Sequence, residues 1–266
     1  MRVLILTSFT SANIYLVNYL TAKHNVVAKV IEKRPAALTF DEKMGRRKKM
    51  LKKYGFYKTI NKLLYNKYKT YASRKGGDDI IKQSLFPGPG EPHYEKDIPS
   101  TEVSDINEPK CLEFISLHNP DIIAVCGTTV LKPVVFELSG RGTINIHTGI
   151  IPEYRSADPI FWALYNNDPE NVGVTIHFVD KGIDTGPIIY QERVGVTRAD
   201  DLETLYCKCI KKGAELMSKA ISDLERGEVK TTRKDGVQGK AYYHMDLGMW
   251  QYLILRRRFR KLKRNL

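Results

Sequence analysis

The opening stretch of the chain constrains the fold more than any other part. Residues 3–6 form a short apolar run, residues 12–20 place apolar side chains at helical spacing, and residues 26–31 are β-branched again. Strand, helix and strand in that order make a β-α-β unit. Its crossover is right-handed and builds a parallel sheet with helices on both faces. The opening MRVLILTSFTSANIYLVNYL carries one Arg and then apolar residues. Its internal Ser, Thr and Asn, with no small-residue cleavage pattern before Lys23, fit a first strand and helix rather than a secretory leader.

The same alternation returns after Asp121. Strands are predicted at 122–126, 143–147, 172–179 and 187–194, and helices at 131–138, 158–165 and 202–224, the last with Asp200 or Asp201 as N-cap. The expected architecture is therefore α/β: a Rossmann-like open, mostly parallel sheet with helices on both faces, plus a small C-terminal extension. Residues 1–196 are expected to form the catalytic domain, and 197–266 a C-terminal helix and basic extension. Residues 41–71 are dense in Lys and Arg with apolar residues three and four apart, which predicts an amphipathic helix with a basic outer face. That face reads first as solvated surface and second as a contact for an anion or RNA. Residues 82–99, with PGPGEP, read as a surface loop.

A length of 266 residues holds one domain with an appendage or two small domains, and 42% hydrophobic with 27% charged residues excludes a disordered chain. No apolar run approaches the roughly 20 residues of a bilayer span. Cys111, Cys126, Cys207 and Cys209 lack zinc-ligand spacing and read as reduced thiols of a cytoplasmic protein. The net charge of +13 calls for an anionic partner. A nucleotide, a phosphosugar, a polyglutamylated cofactor, RNA and an acidic lipid surface all meet that requirement.

The informative motif is INIHTGIIPEYRSADPIFWALYNNDPENVGVTIHFVDKGIDTGPIIYQ, residues 144–191. Asn145 and His147 stand two apart on a strand, so both side chains leave one face of the sheet. Near the carboxyl end of a strand, that face opens into the crevice where open α/β sheets bind ligands. A proline-braced loop follows, and DKGIDTGP then puts Asp184 between two glycines that permit tight turns. An amide, an imidazole and a carboxylate are thus expected to converge.

The succession of NxH, PEYRSADP and GVTIHFVDKGIDTGPI resembles the folate-dependent formyltransferase family, most strongly over 143–189. The resemblance implies a Rossmann-like fold, 10-formyltetrahydrofolate as formyl donor, no metal, and Asn145, His147 and Asp184 as the catalytic set. By position it implies that the backbone of Gly127, Thr128, Thr129, Val130 and Leu131 holds the pterin together with Asp180, Gly182 and Ile183. Asp180 reads equally as a residue that shapes its own turn.

The trio makes chemical sense on its own terms. When an amine attacks a formamide carbon, the oxygen gains negative charge, and an amide N–H aimed at it is worth about 3–4 kcal/mol in comparable sites. A carboxylate beside an imidazole favours the charged ring, orients it, and offers a base for the proton the amine loses. His177 reads as structural or peripheral, and Phe161 and Trp162 as helix core.

Within the family, the central motifs are similar to methionyl-tRNA formyltransferases, which carry a C-terminal barrel. The roughly 40 residues after the long helix are too few for a comparable barrel. The Gly-rich phosphate turn of glycinamide ribonucleotide formyltransferases is replaced by TSFTSAN. The expected activity is therefore formylation of a nucleotide-linked amino sugar of the 4-amino-4,6-dideoxy type for cell-surface glycan synthesis. Ser8, Thr10, Tyr154 and Arg155 are its candidate substrate contacts. Capping of the first helix is the simpler role for the Ser8 turn, and a loop-bracing contact is an equal role for Arg155. The alternatives are formylation of methionyl-tRNA, glycinamide ribonucleotide or a hydroxyornithine siderophore precursor, or a catalytically silent basic protein bound to RNA or membrane. The tail MWQYLILRRRFRKLKRNL reads first as frayed and solvated, then as a contact for a membrane surface, a second copy in a homodimer, or RNA.

Overall fold

The computed structural model describes residues 1–33, 39–233 and 239–266. The chain opens as predicted, with β1 (Val3–Ser8), α1 (Ser11–Lys23) and β2 (Val26–Glu32). Then come α2 (Phe40–Ala72), α3 (Asp78–Leu85), β3 (Ser100–Val103), α4 (Pro109–His118) and β4 (Ile122–Cys126). The central motif folds as α5 (Pro133–Phe136), β5 (Thr143–His147), β6 (Tyr154–Ser156), α6 (Pro159–Tyr165), β7 (Gly173–Phe178) and β8 (Ile188–Arg193). The chain ends in α7 (Leu202–Arg226), β9 (Lys240–Tyr242) and α8 (Met249–Asn265).

Seven strands form one sheet in the order β3-β2-β1-β4-β5-β7-β8. The first five are mutually parallel, and β7 and β8 are antiparallel additions at one edge. The strand order reverses between β1 and β4, and a crevice opens beyond their carboxyl ends, where such sheets bind ligands. Strand alternation sorts the core. Val3, Ile5, Ile122, Ala124, Ile144 and Ile146 enter the layer under α1 and α7. Leu4, Leu6, Ile123 and Val125 enter the opposite layer with Cys111 and Ile115 of α4. With both faces covered, the strands read as continuous apolar runs.

α7 buries Ile210, Ala214, Met217 and Ile221 in the same core as β1 and β4, and Asp201 caps it through the Thr204 amide. Gly55, at φ 79°, interrupts α2. That helix buries only Thr59, Asn61 and Tyr65, so its basic residues stay in solvent as expected, but Phe56, Tyr57, Ile60 and Leu64 stay exposed with them rather than forming the packed side of an amphipathic helix.

Three expectations need correction. The loop expected at 82–99 starts only after α3, because Leu85, 4% exposed, is drawn into the core beside α1 and α7. The helix expected at 131–138 is the single turn of α5. The tail expected to fray is α8, a helix packed on α6 and α2 by Leu255 and Phe259, which join Tyr65, Phe161 and Trp162 in a third apolar cluster. Burying two such side chains contributes about 1.5–3 kcal/mol each, enough to outweigh the repulsion of solvated arginines on the outer face. The edge strand β3, the helix α4 and the two-stranded β6–β9 pair were not anticipated.

Candidate active site

Ile144 and Ile146 of β5 point into the α7 layer, so alternation sends Asn145 and His147 out of the other face, at the carboxyl end of the strand. Antiparallel pairing sets Asn145 opposite His177 and His147 opposite Thr175 on β7. The loop after β7 returns Asp184 over both. Asp184 sits in the left-handed region at φ 51°, a conformation Asp tolerates better than most residues. Gly186 closes this turn so tightly that a Cβ there would overlap the carbonyl oxygen of Phe178.

The distances assign roles to the ring nitrogens. Nε2 of His147 donates to the Tyr154 carbonyl at 2.8 Å, which leaves Nδ1 facing Asp184 Oδ2 at 3.6 Å. Nδ1 of His177 donates to the Phe178 carbonyl at 2.8 Å, so its Nε2 accepts an N–H from the Asn145 amide at 3.1 Å. The other Asp184 oxygen lies 3.5 Å from that same Nε2. His177, read from the sequence as peripheral, is therefore part of the cluster. It fixes one hydrogen of the Asn145 amide and leaves the second N–H for a ligand. The missing signal was strand direction, since only the antiparallel turn of β7 brings residue 177 opposite residue 145.

These residues line one cleft of about 1530 Å³. Gly127, Thr128, Thr129, Val130, Leu131, Asp180, Gly182 and Ile183 line it too, as do Ser8 and Thr10. Gly127 turns at φ 73°, and a Cβ there would meet the Asn13 amide at 2.9 Å. The loop after it is clamped from behind. Glu32 accepts from the Thr129 amide at 2.7 Å and from its hydroxyl at 2.6 Å, and Asn107 donates to the Val130 carbonyl at 3.1 Å. Asp180 shapes its own turn by accepting from the Gly182 amide and the Thr185 hydroxyl. Val130 is 67% exposed and Ile183 39%, so each offers an apolar face to a flat ring, beside backbone amides and carbonyls.

Two candidate substrate contacts stand behind the wall rather than on it. Tyr154 is buried, donates its hydroxyl to Asp168 and supplies the carbonyl that holds His147. Arg155 donates from Nη2 to the Gly239 carbonyl at 3.0 Å and braces the β6–β9 pair. Ser8 donates to the Gly127 carbonyl, and Thr10 caps α1 by accepting from the Asn13 amide.

The far arm of the cleft runs between α2, α6 and α8. It is lined by Tyr65, Tyr68, Lys69, Tyr252, Arg256 and Arg260, which the sequence offered only as parts of the basic 41–71 helix and the basic tail and not as residues of this cleft. Acids are present there too. Burial pushes the Asp158 carboxyl up, but the His244 ring at 3.7 Å and the charges of Lys69 and Lys62 outweigh it, so the net direction is down. Burial raises the carboxyl of Glu203.

The chain as a whole matches a known family. The formyl transferase family model matches residues 1–221, and the chain belongs to that family. It is 37% identical over 145 residues to a methionyl-tRNA formyltransferase of Kosmotoga olearia, an alignment covering 54% of this chain and 46% of the relative. Against the methionyl-tRNA formyltransferase of Azobacteroides pseudotrichonymphae it is 34% identical over 139 residues, covering 52% and 43%. The chain thus spans about half the length of the curated relatives it matches. Its fold is that of a sugar N-formyltransferase from a Shewanella species, with TM-score 0.58 at 15% identity, covering 97% of this chain and 87% of that one. It is also that of an N-formyltransferase from Helicobacter canadensis in complex with folinic acid and dTDP-3-aminofucose, with TM-score 0.56 at 16% identity, covering 93% and 73%.

Proposed function

We propose that the protein transfers the formyl group of 10-formyltetrahydrofolate to the amino group of a nucleotide-linked amino sugar of the 4-amino-4,6-dideoxy type, in the cytoplasm. The observation that carries this reading is the approach of Asp184 to His147 at 3.6 Å beside the Asn145 amide. A flat pterin fits the neighbouring wall. The backbone of 127–131 offers donors and acceptors for its edge, and Val130 and Ile183 offer apolar faces. Bound there, the folate supplies an electrophilic formyl carbon.

The chain's own residues do the rest. The second N–H of Asn145, held in place by His177, donates to the oxygen that gains charge as the amine attacks. His147 is fixed through Nε2, so Nδ1 is the atom that exchanges a proton beside Asp184. Asp184 takes the proton that the amine nitrogen loses. One C–N bond forms at the acceptor, the bond from the formyl carbon to the folate nitrogen breaks, and that nitrogen leaves with the proton the amine lost, passed from Asp184 through Nδ1 of His147.

The far arm favours a nucleotide sugar as acceptor. Lys69, Arg256 and Arg260 suit a diphosphate, and the rings of Tyr68 and Tyr252 suit a base. Four buried free thiols suit a reducing compartment. A second reading, formylation of methionyl-tRNA, is favoured by the identity of up to 37% to enzymes of that name and by the basic helix α2.

Tetrahydrofolate release, followed on mixing the protein with 10-formyltetrahydrofolate and a panel of amines, separates the two. Turnover with nucleotide-linked amino sugars is expected. Turnover with charged tRNA and none with sugars assigns the second reading, and no turnover with any amine removes both.

A further inference from the structure

α2 and α8 together hold 18 Lys and Arg against two Asp and Glu, while the whole chain holds 43 against 30. The remainder of the molecule is thus slightly acidic. The entire cationic excess sits on two helices joined through Asn61 and Gln251 and through the hydroxyls of Tyr68 and Tyr252.

The same helices expose apolar side chains. Phe56 is 73% exposed, Tyr57 70% and Leu64 53% on α2, and Trp250 is 53% exposed on α8. Tyr57, Ile60, Leu64 and Tyr71 recur at three, four and seven residues, so they share one stripe of the helix. Lys43 and Arg47 from before the Gly55 interruption, with Ile60, Leu63, Leu64 and Lys67 from after it, line one shallow groove. A water-facing helix ordinarily carries polar residues there.

We propose that this α2–α8 face docks on a bilayer leaflet of anionic phospholipid. The groove's lining meets both halves of such a lipid: Lys43, Arg47 and Lys67 for headgroup phosphates, and Ile60, Leu63 and Leu64 for the boundary with the acyl chains. The lysine and arginine stems lie along that boundary while their charges reach the phosphates. RNA answers the cations but offers no partner to Ile60, Leu64 and Ile254. A second copy of the chain would set one strongly positive surface against another. Arg256 and Arg260 face the cleft from a different side of α8 than Trp250, Ile254, Arg257 and Lys261, so lipid and acceptor do not compete for the same side chains.

The test is flotation of the full chain with phosphatidylcholine vesicles, with and without phosphatidylglycerol, together with tryptophan emission. Trp162 is 4% exposed and inert, so Trp250 reports the contact. The wild type is expected to float with the anionic vesicles alone and to shift its emission to the blue. Lys43→Gln and Arg47→Gln should each lower the partition coefficient about fivefold. The pair Phe56→Ser and Leu64→Ser should abolish the blue shift, with formyl transfer unchanged. Failure of the wild type to float with anionic vesicles overturns the proposal. So does flotation that the serine pair leaves intact, which is adsorption by charge alone. Capture of single-stranded RNA without any vesicle binding also overturns it and assigns the surface to nucleic acid.

Discussion

Asn145 gives one amide hydrogen to Nε2 of His177, 3.1 Å away across the antiparallel β5–β7 pair. The bond is between side chains directly opposite each other, the closest relationship a sheet provides. It holds one hydrogen of the Asn145 amide, so under the proposed function His177 is a positioning residue for the other. Replacing His177 with Ala frees that amide to rotate. A fall in kcat of roughly tenfold to a hundredfold is expected, with the KM for the folate donor little changed. A KM effect alone, with kcat intact, would reassign His177 to binding.

Asn145→Ala removes the donor itself and should lower kcat by about a hundredfold to a thousandfold. His147→Ala and Asp184→Ala should each lower turnover by orders of magnitude and largely spare folate binding, measured by fluorescence quenching or calorimetry. Wild-type turnover in either variant refutes the assigned role.

Gly186→Ala tests whether the turn, rather than Asp184 by itself, sets the site. The added methyl overlaps the Phe178 carbonyl, so the 180–186 turn must shift and carry Asp184 away from His147. Turnover should fall steeply, while thermal unfolding reports a loss of about 1–3 kcal/mol. Unchanged activity would mean that the turn tolerates displacement.

Asp200 is buried and accepts from the Thr197 amide at 2.7 Å, the Thr197 hydroxyl at 2.8 Å and Lys208 at 2.7 Å. Burial pushes its carboxyl up, but the Lys208 bond and the two Thr197 bonds outweigh it, so it titrates below the ordinary carboxylate range. A depressed folded-state value means the stabilisation is complete above the ordinary range and is lost as pH falls through the folded value. Asp200→Asn should therefore cost about 1.5–3 kcal/mol near neutral pH, with the gap from wild type closing below about pH 4. Denaturant midpoints at several pH values read this, and a gap independent of pH would show that charge is not the cause.

Leu255→Ala tests the packing of α8. Its side chain is 1% exposed among aromatic neighbours, and truncation should cost about 2–5 kcal/mol. A frayed helix would lose almost nothing.

Much of this molecule was legible in one dimension. The β-α-β opening, the strands of the central motif and the α7 cap follow from local spacing, because alternation and helical periodicity are properties of neighbours in sequence. The pairing of Asn145 with His147 on one face follows from the same rule. His177 did not, because its partner lies 32 residues away and is chosen by strand direction. Nor did the tyrosines and arginines of the far arm, where α2, α6 and α8 meet only after folding. The tail looked soluble and loose because its charges dominate any local count. Leu255 and Phe259 became core only when Phe161 and Trp162 arrived from another part of the chain. Sequence determined which residue types were available to the site, through patterns a few residues long. Tertiary structure decided which of them share a cleft, since contact between distant segments depends on packing that no local pattern encodes.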